Sequence, residues 1–158
     1  MKDSQGVKHK CESEDLQSFR TEGQVGFLLR RVYQMFYGNL SSRLSEFGVT
    51  PQQLSALAKI YEIGTVSQNK LGRLVAMDPA AIHGVVRRLS ERDMIEQSRD
   101  PADQRLLLLS LTPTGKNMVE QMIPLARQSQ KISLSRLSAD EVERFVALLL
   151  KLSDGDEE

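Results

Sequence analysis

From Val25 onward, Val25, Leu28, Leu29, Val32, Phe36, Leu40, Leu44 and Phe47 recur at the three- and four-residue spacing of one helical face. This stripe predicts a long helix closed at Gly48, where glycine accepts a left-handed cap without a Cβ penalty. Thr50-Pro51 supplies an N-cap and a first-turn proline for a second helix. Leu54, Leu57, Ala58 and Tyr61 form its inward face, and Gly64 ends it. Ser67 is placed to cap a short third helix with Leu71, Leu74 and Val75 inward. Asp78-Pro79 caps a fourth, with Ile82, Val85, Val86 and Leu89 inward.

After Asp93 the period shortens. Residues 95–99 and 105–111 read as two strands around an Asp-Pro turn, with Leu107, Leu109 and Leu111 on one face. Thr112-Pro113 begins a further helix through Met118, Met122 and Leu125, which Pro124 is expected to kink. Ser138 caps a last helix with Val142, Phe145, Val146, Leu149 and Leu152 apolar. The expected fold class is mainly α with a small β-hairpin: a winged helix-turn-helix flanked by N- and C-terminal dimerisation helices. Residues 1–20 read as a flexible arm and 21–48 as a dimerisation or pocket helix. Residues 49–112 form the winged helix-turn-helix, 113–152 the C-terminal dimerisation helices, and 153–158 an acidic tail. The flanking stripes need a surface to bury them, and a symmetric copy is the simplest one.

The chain has 158 residues, enough for one compact domain with its own core. Its formal net charge is zero, but the charge is unevenly spread. Asp140, Glu141, Glu143, Asp154, Asp156, Glu157 and Glu158 concentrate acid at the C-terminus, and the remainder is basic. The single cysteine, Cys11, excludes an internal disulfide. With no signal-peptide core and no membrane-length apolar run, a cytoplasmic protein without membrane contact is expected. The histidines His9 and His83 lie far apart, and neither a phosphate-binding glycine loop nor a nucleophile elbow is present. No catalytic residue, metal site or cofactor is expected, and the chain is not read as an enzyme.

On the fourth helix, the face opposite the apolar one carries Ala80, Gly84 and Arg87, flanked by Ala81, His83 and Arg88. Small residues let a backbone approach base edges, and the arginines and histidine can reach phosphate or guanine. The same pattern also suits an ordinary solvated face. The following turn, Ser98-Arg99-Asp100-Pro101-Ala102-Asp103-Gln104-Arg105, places arginines on a hairpin that can enter a minor groove. An aspartate beside such an arginine is expected to hold it in place through a bidentate pair. The candidate DNA contacts are Ser67, Asn69, Ala80, Ala81, His83, Gly84, Arg87, Arg88, Arg99, Asp103 and Arg105.

The string Asp103-Gln104-Arg105, an apolar strand, then Leu111-Thr112-Pro113-Thr114-Gly115 resembles the signature of the MarR (multiple antibiotic resistance regulator) family: Asp-x-Arg, a strand, Leu-Thr-x-x-Gly. Val85-Val86-Arg87-Arg88-Leu89, Ile95 and Gly48-Val49-Thr50-Pro51-Gln52-Gln53 fit as well, so the resemblance spans about residues 25–152. It implies a homodimeric repressor on a palindromic double-stranded operator. The helix from Asp78 would read the major groove and Arg105 the minor groove, with Asp103 as brace. It also implies release by a small aromatic effector or an oxidant.

Arg30, Tyr33 and Tyr37 share a flank of the first helix, with Phe36 one turn on. An anion-binding guanidinium beside amphipathic rings suits an aromatic carboxylate. Gly26-Phe27-Leu28-Leu29-Arg30-Arg31 resembles the family's aromatic-acid-catabolism branch, which places the ligand carboxylate on Arg30. A hydroxybenzoate- or hydroxypyridine-carboxylate-like acid is the expected effector. The alternatives are packing roles for these residues, oxidant sensing through Cys11 beside Lys8, His9 and Lys10, and a winged-helix protein-interaction module without specific DNA binding.

Overall fold

The computed structural model describes residues 20–153, so the expected arm, Cys11 and the acidic tail beyond Ser153 lie outside the described residues. Two compact units divide the chain between Gln34 and Met35. The first holds a 3-10 turn, Thr21–Gly23, and the opening turns of helix α1, Val25–Leu44. Within it, the Arg31 guanidinium lies 5.9 Å from the centre of the Phe27 ring.

The second unit continues α1 into a 3-10 turn, Ser45–Phe47. It then runs through α2 (Pro51–Ile63), β1 (Thr65–Ser67), α3 (Gln68–Leu74) and α4 (Pro79–Glu91). The strands β2 (Ile95–Arg99) and β3 (Leu107–Leu111) follow, then α5 (Pro113–Ser133) and α6 (Ala139–Ser153). Gly48 closes the α1 segment at φ 59°, as the stripe ending there predicts.

Side-chain caps set most helix starts, each contributing about 1 kcal/mol. Thr50 Oγ1 accepts from the Gln53 amide at 3.2 Å while Gln53 Oε1 accepts from the Thr50 amide at 2.8 Å. Ser138 and Glu141 form the same reciprocal box ahead of α6. Asp78 Oδ1 accepts from the Ala81 amide at 2.8 Å, and Thr112 Oγ1 from the Gly115 amide at 3.0 Å. Ser67 stands at the N-cap of α3 but makes no side-chain cap bond. α5 runs unbroken through Pro124.

The core collects Leu44, Leu57, Ile60, Leu71, Ile82, Leu89, Leu109, Val119 and Met122, all fully buried. The inward faces of α2 and α4 are placed as the periodicity predicts, except that Ala58 is half-buried and Tyr61 exposed. Tyr61, at the end of α2, is exposed and donates to Glu120 at 3.1 Å; this hydrogen bond and the carboxylate's charge raise the phenol's pKa. Outside those two helices, Leu74 of α3 and Leu107 of β3 are also exposed. Tyr61, Leu74 and Leu107 lie at or near an end of their helix or strand.

The hairpin is one part of a three-stranded antiparallel sheet in the order β1-β3-β2. Thr65–Ser67 pairs with β3, placing Val66 opposite Leu109. Three residues are too few to display a period, so this strand is legible only through its partner. β3 begins at Leu107, which puts Arg105 in the turn rather than in the strand.

The start of α5 is locked to the end of α4. Thr112 donates through its amide to the Met94 carbonyl at 3.2 Å and through Oγ1 to the Asp93 carbonyl at 2.6 Å. Gly115 packs directly on the Met94 carbonyl, and a Cβ there would overlap the oxygen and carbon of that group. Backbone cannot swing aside as a flexible side chain can. Gly115→Ala is therefore expected to destabilise the fold by about 3 kcal/mol or more, in the upper range for overpacking. A urea midpoint equal to that of the unsubstituted chain would show that the junction relaxes freely.

Candidate nucleic-acid interface and ligand residues

Helix α4 is held by Ile82, Val85, Val86 and Leu89, all buried. Helical geometry then leaves Ala80, Ala81, His83, Arg87 and Arg88 exposed on the other side, with Gly84 half-buried between them. A Cβ at Gly84 would meet only the flexible Arg88 guanidinium, at 3.6 Å or beyond, so the monomer makes no steric demand for glycine there. Its cost to the helix is about 1 kcal/mol relative to alanine. Arg87 Nε faces Glu91 Oε1 at 3.7 Å, an exposed pair one turn apart. Such a pair contributes at most about 1 kcal/mol and gives way easily to a phosphate.

The wing is organised by its aspartates. Asp100 Oδ1 accepts from the Ala102 amide at 2.7 Å and the Asp103 amide at 3.3 Å. The backbone closes through Asp100 N to Leu106 O and Leu106 N to Asp103 O, both 2.9 Å. Arg99 Nη1 donates to the Gln104 carbonyl at 2.5 Å, so this guanidinium is engaged within the turn. Asp103 does brace Arg105, but not as a bidentate ion pair. Its Oδ1 accepts from the Arg105 backbone amide at 3.0 Å. The tight turn brings the carboxylate back onto the chain two residues on, a local arrangement that aspartate favours. The Arg105 guanidinium makes no hydrogen bond or ion pair among the described residues.

Sheet pairing brings separated residues together. Ser67, Gln68, Asn69, Gln97, Arg105, Leu106, Leu107 and Leu109 line a cleft of about 220 Å³ between the start of α3 and the wing. Ser67, Asn69 and Arg105 thus share one site, while the α4 candidates are absent from its lining. Gln68 and Gln97 were not singled out from the sequence. The available signal for Gln97 was strand register, since it pairs with Leu109. Arg92 was also missed. Its Nη1 and Nη2 donate to the carbonyls of Gly48 and Phe47 at 2.7 and 2.8 Å.

Of the ligand candidates, Arg30 and Tyr33 lie on α1 in the first unit, exposed. Phe36 and Tyr37 lie on α1 in the second unit, half-buried. Farther along the same helix, Asn39 donates to Ser133 at 2.9 Å and Arg43 to Gln128 at 3.2 Å, tying α1 to α5. Among the described residues no group of His, Cys, Asp and Glu side chains is arranged to hold a metal ion. None of their helices is long and apolar enough to cross a membrane.

The MarR family model matches residues 49–107, from the turn after α1 into β3. The chain is 36% identical over 134 residues to the HTH-type transcriptional repressor NicR of Pseudomonas putida, covering 85% of each chain. A solved structure of a probable transcriptional regulator from Pseudomonas aeruginosa superposes with a TM-score of 0.80 at 41% identity, over 84% of this chain and 99% of that one. Bordetella bronchiseptica BpsR, solved to show how 6-hydroxynicotinic acid regulates its DNA binding, gives a TM-score of 0.83 at 35% identity, over 87% and 99%. With the capped α4, the braced wing and relatives at this identity over most of its length, the chain belongs to the MarR family of winged-helix transcriptional regulators.

Proposed function

We propose that the chain is a homodimeric repressor that grips a palindromic double-stranded operator with α4 and the wing, and releases it on binding a small aromatic acid. The observation that carries the DNA reading is Arg105. Its guanidinium has no partner among the described residues, while Asp100 and Asp103 hold the surrounding backbone. A cation presented on a fixed loop, beside the polar Ser67 and Asn69, suits a phosphate or a narrow minor groove. In the major groove, Ala80, Ala81 and Gly84 allow close approach, with Arg87, Arg88 and His83 around them. Arg99 supports the wing from within, and Asp103 supports Arg105.

Dimerisation is supported by apolar surface the monomer leaves open. α6 buries none of its residues, and Leu148, Leu150 and Leu152 are more than half exposed. At about 25 cal/mol per Å² of apolar surface, covering such side chains is a strong drive to associate. The proposed division of labour keeps residues 49–112 for DNA and the flanking helices for pairing. Two bound half-sites related by the dimer axis make the operator palindromic.

The effector reading is supported by the likeness to the Bordetella regulator that responds to 6-hydroxynicotinic acid. Arg30 is the proposed carboxylate partner, with Tyr33, Phe36 and Tyr37 as the aromatic lining. A hydroxypyridine or hydroxybenzoate carboxylate is the proposed class.

An operator recovered by selection from random duplexes tests the DNA reading. Arg105→Ala is expected to weaken operator binding by about tenfold or more and to flatten the salt slope by about one. Its thermal melting should stay unchanged. Equal affinity and slope for the two proteins would remove Arg105 from the interface. A protein-interaction module would instead show little salt-dependent affinity for any duplex.

Hydroxylated benzoates and pyridine carboxylates, 6-hydroxynicotinic acid first, are expected to raise the melting temperature and release the operator. At a hundredfold excess over Kd the stabilisation is about 2.7 kcal/mol. Arg30→Ala should lose both responses yet still bind the operator. Undiminished release from that variant would place the carboxylate elsewhere.

A further inference from the structure

We infer that Arg92 is a positioning residue for operator recognition: it fixes the exit of α4 to the 3-10 turn that follows α1 and so sets the angle at which α4 is presented. The inference rests on the DNA-binding reading above. Arg92 caps α4, and its two terminal nitrogens reach two consecutive carbonyls, Gly48 at 2.7 Å and Phe47 at 2.8 Å. Both distances are those of charge-assisted bonds. They join positions 44 and 45 residues apart in sequence.

A guanidinium is a planar fork, so two such bonds constrain orientation as well as distance. The receiving turn is equally particular. Gly48 is left-handed at φ 59°, and the Arg92 nitrogens lie 3.7 and 3.8 Å from where a Cβ would stand. The next two residues of the α4 exit are tied the other way. Asp93 and Met94 offer their carbonyls to Thr112, at the start of α5. The end of α4 is therefore held from both sides, by the turn after α1 and by the N-cap of α5. Helices α1 and α5 are in turn joined by Asn39 to Ser133 and Arg43 to Gln128.

Two features separate positioning from simple support or direct contact. Arg92 is exposed, so truncating it opens no cavity in the core. Its guanidinium is already committed to two carbonyls, unlike that of Arg105.

The test compares full-length wild type, Arg92→Ala and Arg92→Lys on the selected operator and on a scrambled duplex of equal length and composition. Each protein is assayed below its melting transition. Arg92→Ala is expected to lose tenfold or more in operator affinity, with affinity for the scrambled duplex within twofold and the salt slope unchanged. Arg92→Lys, which can keep one carbonyl bond, should recover part of the lost discrimination. An unchanged operator-to-scrambled ratio in Arg92→Ala overturns the inference. So does an equal loss on both duplexes with a shallower salt slope, which would make Arg92 a phosphate contact. If Arg92→Ala melts below the assay temperature, the ratio for Arg92→Lys decides by the same criteria, with an intermediate loss expected. Failure of the wild type to prefer any duplex would overturn the DNA-binding reading and the inference with it. Failure confined to the variants leaves that reading standing.

Discussion

The Met94 carbonyl is the contact around which the second unit is arranged. It accepts from Thr112 and lies against the Cα of Gly115, where no side chain can fit. A buried carbonyl needs a donor, and the one available sits at the first turn of α5. Satisfying it fixes where α5 begins relative to where α4 ends. β3 must therefore return from the wing to reach Thr112, and that return pairs it with β2 on one side and β1 on the other. Helix α4, the wing and α5 are thus positioned by one small junction.

The arginines divide according to what their guanidinium groups meet. Arg92 and Arg99 are engaged by backbone carbonyls and act inside the architecture. Arg87 is loosely paired with Glu91. Arg105 has no such engagement among the described residues, although its backbone is held by Asp103. This pattern gives physical content to a charge-neutral DNA-binding protein. Net charge sums over groups that are already committed and acidic residues remote in sequence, whereas phosphate binding in general depends on which cations are left available. The wing aspartates Asp100 and Asp103 each turn one carboxylate oxygen onto backbone amides of the turn.

Much of the chain was legible before any coordinates. The buried faces of α2 and α4, the caps at Thr50, Asp78, Thr112 and Ser138, and the left-handed stop at Gly48 follow from local rules acting within a few residues. The MarR resemblance, read from Asp103-Gln104-Arg105 and Leu111-Thr112-Pro113-Thr114-Gly115, agrees with the similarity to NicR and the solved regulators. β1 was not legible, since three residues carry no period. Nor was the exposure of Tyr61 and Leu74, whose helical spacing matches the core face although the core ends before them. The Asp103 brace was expected from the right residue but with the wrong partner atom, because a two-residue separation favours the nearby amide over a mobile guanidinium.

By itself, the sequence determined the long helices and the hairpin, the caps at Thr50, Asp78, Thr112 and Ser138, most of the inward faces of α2 and α4, and the family. These depend on spacing and on residue chemistry at short range, where the chain geometry leaves little choice. Tertiary structure decided which polar groups are occupied and which remain open. That Arg92 reaches Phe47 and Gly48, that Thr112 meets Met94, and that Ser67, Asn69 and Arg105 line one cleft depend on contacts between distant segments. Hydrogen bonds act over about 3 Å. Only when the core brings those segments together does an arginine become a structural clamp or an available cation.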